Sequence, residues 1–306
     1  MSFTARADGE EVLLCGCKQS RDAPYCDGSH NGLDDSYDEA SALERAATAH
    51  ITPTPFDGGS SGKAVLDGGC YVRRLSENDF TPLGSWRVAE AISGKDGAKK
   101  LGQWMLAATG TAEPITFGDS AVALFVSHGS GSVVIAGERF AIVPETGLYV
   151  APNEAFSVDS DTEVRLIAAV CPTGPAPRPA NGTSAFTEGL PPRATTASED
   201  ARTAMADRFY QVLVGDEEGE GPIDVTQFIG EIPCSRAAPH RHMYEEAITI
   251  LAGEGYMWTE GARAAVGPGD VIFLPKKQLH SLECTSEGGM RLMGAFYPSG
   301  SPAINY

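Results

Sequence analysis

Apolar positions along the chain fall in short runs and alternations. Val271-Ile272-Phe273-Leu274 and Leu166-Ile167-Ala168-Ala169-Val170 are typical, each set apart from the next by glycine, proline and polar clusters. Short apolar or alternating runs bounded by turn residues predict strands, so the pattern is that of an all-β protein. One short helical candidate stands apart, over 38–47 (Asp-Glu-Ala-Ser-Ala-Leu-Glu-Arg-Ala-Ala). It precedes Thr52-Pro53-Thr54-Pro55 and Gly58-Gly59-Ser60-Ser61-Gly62, and a second Pro-rich stretch runs from Pro172 to Arg193. Both stretches have linker chemistry and leave two patterned halves between and after them.

The halves match each other. Gly129 and Gly131 correspond to Gly253 and Gly255, Gly137 to Gly261, and Pro152 to Pro275. Arg165-Leu166-Ile167-Ala168-Ala169-Val170-Cys171-Pro172-Thr173-Gly174 corresponds to Arg291-Leu292-Met293-Gly294-Ala295-Phe296-Tyr297-Pro298-Ser299-Gly300 (291 − 165 = 126). An offset near 124 that drifts only by small indels indicates a duplicated β domain. A chain of 306 residues is long enough for two such cores, and 35 Gly and 20 Pro suit their many tight turns.

Charge narrows the partners. Lys plus Arg number 23 and Asp plus Glu 41, so 23 − 41 = −18. A surface this anionic repels phosphate backbones and anionic headgroups, which argues against nucleic acid and acidic membranes as partners. No segment approaches the roughly 20 apolar residues of a spanning helix, and the opening residues lack the apolar core of a signal peptide. A cytoplasmic protein is expected.

Cysteine usage is uneven. Cys15, Cys17 and Cys26 cluster, whereas Cys70, Cys171, Cys234 and Cys284 are scattered through the β segments. Clustered thiols in a reducing compartment suggest a metal. With His30 they place three thiolates and one imidazole within sixteen residues, Cys15 to His30, a donor set for zinc or an iron-sulfur cluster. A single residue between the first two cysteines fits zinc sites poorly. The run resembles the CDGSH iron-sulfur family, and Ser20, Pro24 and Asp27-Gly28-Ser29 match its remaining fixed positions. The resemblance implies a 2Fe-2S cluster held by Cys15, Cys17, Cys26 and His30. Family members usually bring two such motifs together and this chain has one, so a homodimer that pairs them, or a single motif docked on the rest of the chain, is expected.

A second constellation lies in the C-terminal half, in Pro239-His240-Arg241-His242-Met243-Tyr244-Glu245-Glu246, with His280 following Pro275-Lys276-Lys277-Gln278-Leu279. Read as a strand, the first segment places His240, His242 and Glu246 on one face. Three imidazoles and a carboxylate make a site for a divalent transition metal. The two segments resemble the paired motifs of the cupin family, save that Lys277 stands where the second motif has glycine. This resemblance implies a double-stranded β-helix (jelly-roll) barrel with a mononuclear metal, Fe(II) being expected, on His240, His242, Glu246 and His280. By the repeat offset those positions map to Thr116, Gly118, Val122 and Ser157, so the first barrel is expected to be metal-free. His128 is expected to be a solvent-facing turn residue and Cys284 a buried, inert thiol. Arg236 and Tyr244 flank the motif and are candidates for orienting a carboxylate or phenolate substrate; Tyr256 and Trp258 share one strand face.

The expected organisation is a CDGSH iron-sulfur module (1–35), a linker (36–69), a degenerate cupin barrel (70–175), a linker (176–203) and a metal-binding cupin barrel (204–306). A one-electron cluster fused to an open metal site suggests a non-haem iron oxygenase or other oxidoreductase acting on a small organic molecule, with the cluster supplying electrons. A reductase or ferredoxin-like electron donor would complete it. The alternatives are a redox- or iron-sensing metalloprotein without turnover, and a non-redox metal-dependent isomerase or cyclase.

Overall fold

The computed structural model describes residues 50–58, 62–180, 182 and 184–304. The cluster motif at Cys15, Cys17, Cys26 and His30, and the helical candidate at 38–47, lie outside the described residues. Within them the elements are strands and short 3₁₀ turns, and no helix is long and apolar enough to cross a membrane.

Two strands come first, β1 (Gly62–Val65) and β2 (Tyr71–Arg74). The next nine are β3 (Thr81–Leu83), β4 (Trp86–Ile92), β5 (Gly102–Thr111), β6 (Ile115–Thr116), β7 (Ala121–His128), β8 (Gly131–Ile135), β9 (Glu138–Ile142), β10 (Thr146–Val150) and β11 (Phe156–Cys171). Two short strands follow, β12 (Arg178–Pro179) and β13 (Ala194–Thr196). The remainder are β14 (Thr203–Met205), β15 (Arg208–Val214), β16 (Thr226–Ile232), β17 (Glu245–Ala252), β18 (Gly255–Trp258), β19 (Arg263–Val266), β20 (Val271–Leu274), β21 (Ser281–Cys284) and β22 (Met290–Tyr297).

The repeat read from the sequence is a repeat of topology. One sheet runs β13-β10-β7-β11-β5-β4-β3, and the other runs β1-β2-β20-β17-β22-β16-β15-β14. Registers agree across the halves: Val122 pairs with Val150 and Val170 as Glu246 pairs with Leu274 and Phe296. Gly129 and Gly253 show why these positions hold glycine. Both have positive φ, and a Cβ at either would lie 2.3 or 2.4 Å from a backbone carbonyl oxygen.

Composition misplaces the boundaries at the edge strands. β1 and β2 fall in the expected first linker and the expected first barrel, yet β2 pairs with β20 and both strands extend the second sheet. The stretch 176–203, expected to be linker, contributes β12 to the first barrel through β6 and β13 through β10. Each unit is thus completed by an edge strand taken from outside its own contiguous segment.

Both central sheets are buried on two faces, which is why their strands read as continuous apolar runs. On β7, Val122, Leu124 and Val126 fill the first barrel, while Ala123 and Phe125 face the second unit. On β17, Ile248 and Ile250 fill the second barrel and Ala247 faces the first. The seam core, with Tyr71, Phe125, Ile167, Ile229, Phe273 and Met293, therefore joins the two halves into one body.

Candidate metal centre

The backbone that carries the histidine pair is not a strand. His240 forms a single antiparallel bridge with His280, after which the chain is irregular until β17 begins at Glu245. The imidazoles converge because this segment is tied down at both ends: the amide N–H groups of His240 and His280 donate to each other's carbonyls at 3.0 and 2.9 Å, and Lys277 N–H donates to the His242 carbonyl at 2.8 Å. Strand parity accounts only for Glu246, whose neighbours on the same face of β17 line the second barrel.

Lys277 explains the departure from the glycine pattern. Its φ is +70, the left-handed conformation that glycine takes without strain. The turn is kept, with a lysine held in it.

The three histidines present ligand nitrogens within 4.8 Å of one another, and this is the group of metal-ligating side chains found among the described residues. Nδ1 of His240 lies 2.8 Å from the Ala238 carbonyl and Nδ1 of His280 lies 2.9 Å from the Gln278 carbonyl. A carbonyl only accepts, so each Nδ1 carries the proton and each Nε2 keeps its lone pair for the site. Nε2 of His242 stands 3.2 Å from Glu246 Oε2, a buried oxygen that has no hydrogen-bond partner.

Electrostatics sharpen the picture. Burial, reinforced by His240, pushes His242 down to about 3; burial with its two histidine neighbours holds His280 well below the usual range, and burial also lowers His240. All three rings are therefore neutral at pH 7, as metal ligands must be. Burial raises Glu246 to about 8. A carboxylate this desolvated needs a positive charge beside it, and three neutral imidazoles supply none. Three neutral imidazoles and a carboxyl that ionises at pH 7 only beside a positive charge, with no cation among them, fit a divalent metal.

The flanking candidates divide by contact. Tyr244 stacks on His242 (ring centroids 4.8 Å, planes 7° apart) and on Phe296 (4.0 Å, 12°), so it fixes the plane of the His242 ring. Arg236 is buried, with its guanidinium 4.0 Å over the Trp258 ring and its Nε donating to Ser281 Oγ at 3.2 Å. Tyr256 and Trp258 do share one face, where Arg263 covers both rings. Cys284 is buried, its thiol pushed up by desolvation, and donates to the Ser286 carbonyl. His128 is the exposed last residue of β7.

In the first barrel the pair equivalent to His240 and His280 is Ile115 and Phe156, one residue before the Thr116 and Ser157 marked by the repeat offset. Phe156 packs edge-on against Trp86 and stacks on Phe117, so hydrocarbon fills the space that donors line in the second barrel.

Residues 232–296 match the family model described as "Cupin domain". The second barrel is a cupin domain. Residues 2–31 match the model described as "Iron-binding zinc finger CDGSH type", in agreement with the N-terminal resemblance. The chain is similar in sequence to quercetin 2,3-dioxygenase of Bacillus subtilis, 26% identical over 116 residues, a match spanning 36% of this chain and about a third (34%) of that protein. Among solved structures, the putative glyoxylate induced protein of Pseudomonas aeruginosa superposes with a TM-score of 0.60 at 14% identity, over 80% of this chain and 94% of that one. Oxalate decarboxylase of Bacillus subtilis gives 0.57 at 11% identity, over 73% and 76%. These likenesses establish the fold of two cupin-type barrels in tandem.

Sequence reasoning missed the supports of the centre. The carbonyls of Ala238 and Gln278 are backbone groups with no signature of their own. Lys277 signals itself only as the residue standing where glycine is usual.

Proposed function

We propose that this chain is a metal-dependent bicupin enzyme, an iron oxygenase or related oxidoreductase that acts on a small organic molecule. The observation that carries the reading is the convergence of His240, His242 and His280, with the buried Glu246 Oε2 3.2 Å from His242 Nε2 and without a hydrogen bond, an arrangement that calls for a divalent ion. The sequence likeness to a dioxygenase favours a redox-active metal, which in this reading is iron. Held by His240, His242, His280 and Glu246, Fe(II) would supply redox and Lewis-acid chemistry.

The protein's own groups define the rest. Ala238 and Gln278 hold the protons of His240 and His280 at Nδ1. Tyr244 fixes the plane of His242. Tyr256 and Trp258, under Arg236 and Arg263, stand on the face of β18 opposite the barrel-lining Met257, and Trp258 donates to Glu283 there, so that face braces the small sheet.

In this reading Cys15, Cys17, Cys26 and His30 hold a 2Fe-2S cluster that supplies single electrons to the iron or keeps it ferrous, itself reduced by a reductase or ferredoxin-like donor, in a homodimer. Connectivity favours the link. The chain after the motif joins the metal-bearing unit: Thr54 N–H donates to the Arg263 carbonyl at 2.7 Å, and β1 and β2 follow in its sheet.

Anaerobic metal and sulfide analysis with EPR of the reduced protein tests both sites together. Expected are two cluster irons with sulfide, one further iron per chain, and O2 uptake on addition of flavonoid-like phenols or small carboxylates. Zinc or manganese as the native cupin metal, or no O2 uptake, would overturn the oxygenase reading.

A further inference from the structure

The seam between the barrels carries buried polar contacts, and two of them obey the internal repeat. Gln103 and Gln227 are equivalent (227 − 103 = 124) and both are fully buried. Each reaches into the opposite unit: Gln103 Nε2 donates to Thr249 Oγ1 at 2.7 Å, and Gln227 Nε2 donates to the Ala123 carbonyl at 3.1 Å.

Glu245 breaks this symmetry. It is buried at the first position of β17, on the face turned to the first barrel, and its carboxylate accepts three consecutive backbone N–H groups from that barrel: Lys99 at 3.0 Å, Lys100 at 2.8 Å and Leu101 at 3.1 Å. The equivalent residue in the first half is Ala121 (245 − 124 = 121), which carries no such group. The donating loop is itself held to the second unit, since Asp96 pairs with Lys63 at 2.7 Å and Arg73 at 3.6 Å. Hydrogen bonds to a charged carboxylate are the strong ones, and three from one rigid loop fix both its position and its orientation.

From this we infer that Glu245 is a positioning residue for the metal centre. Adjacent residues of a strand point to opposite faces, so pinning Glu245 to the first barrel sets the direction in which Glu246 enters the second. The pin also sits where the irregular histidine segment joins β17, so it fixes the end of that segment as well. The ligand-free barrel thereby acts as a template for the ligand-bearing one. The inference rests on the metal-site reading above but not on the oxygenase reading.

The test is Mn(II) binding to the full-length protein, followed by EPR of the bound ion and by the rate at which a chelator removes it. Glu245→Gln, which presents an amide N–H to the loop donors, is expected to weaken Mn(II) by about tenfold or more, the scale seen for residues that orient ligands, and to change the Mn(II) line shape. Gln103→Ala and Gln227→Ala break seam contacts of similar burial and are expected to lower the melting temperature while leaving affinity and line shape as in the wild type. Should Glu245→Gln fail to fold, Glu245→Asp, one methylene short of the loop, carries the same expectation. Unchanged affinity and spectrum in a folded Glu245 variant would overturn the inference, as would equal weakening by the glutamine variants, which would mean general loosening of the seam. Absence of Mn(II) binding by the wild type would instead overturn the metal-site reading itself.

Discussion

At His280 one carbonyl distinguishes the two ring nitrogens, and the same device operates at His240. Losing a ligand so prepared should be felt directly. His280→Ala is expected to lose stoichiometric metal by elemental analysis, and with it the metal-dependent stabilisation, which at a hundredfold excess over Kd amounts to about 2.7 kcal/mol and is read as a rise in melting temperature. Elsewhere a buried charge serves structure alone. Glu154 and Arg193 pair in the interior, and Glu154 also accepts the N–H groups of Thr187 and Ala151 at 2.8 Å. Burial by itself would raise the Glu154 carboxyl; the guanidinium and the two N–H groups outweigh it and hold it below the usual carboxylate value. A carboxyl lowered on folding contributes stability above its unfolded value of about 4.5 and loses it as pH falls through the folded one. Acid should therefore unfold the wild type along a slope to which this group contributes. Arg193→Met, which leaves the carboxylate buried and unpaired, should cost about 3–5 kcal/mol at pH 7 by denaturant melts.

Strands of the interior were legible as apolar runs because both faces of β7, β11, β17 and β22 are buried. The edge strands were not. β2 and β13 are short, and what makes them strands is a distant partner, β20 or β10, which no local pattern encodes. The candidate ligands were legible because the spacing a metal requires is a chemical signature, although the histidine pair is brought together by a turn tied through Lys277, not by strand parity. That turn has its own test. Lysine at φ +70 is strained, so Lys277→Gly should stabilise the protein by roughly 0.5–1 kcal/mol in thermal melts, the relief of strain exceeding the added flexibility of the unfolded chain.

For the whole molecule, the duplication read from glycine spacing recurs in strand order and register, but the two copies have diverged in kind. One interior is packed with Trp86, Phe117 and Phe156, the other with imidazole and carboxylate. Because Val72 of β2 lies inside the second barrel, opposite Ile272, its replacement should damage the metal centre despite a distance of more than 160 residues in sequence from any ligand (240 − 72 = 168). Val72→Asp is expected to abolish metal binding, measured by titration, by placing a charge in that core.

The exchanged edge strands also order events during synthesis. Val72 leaves the ribosome 200 residues before Ile272, the partner that completes its pairing (272 − 72 = 200). Chains fold as they emerge, so the first barrel can assemble around β3 to β13 while β1 and β2 wait with unpaired edges. The candidate metal centre, whose residues all lie beyond 239, then closes after the first barrel, and the segment from β1 to β2 is joined to it only at that step.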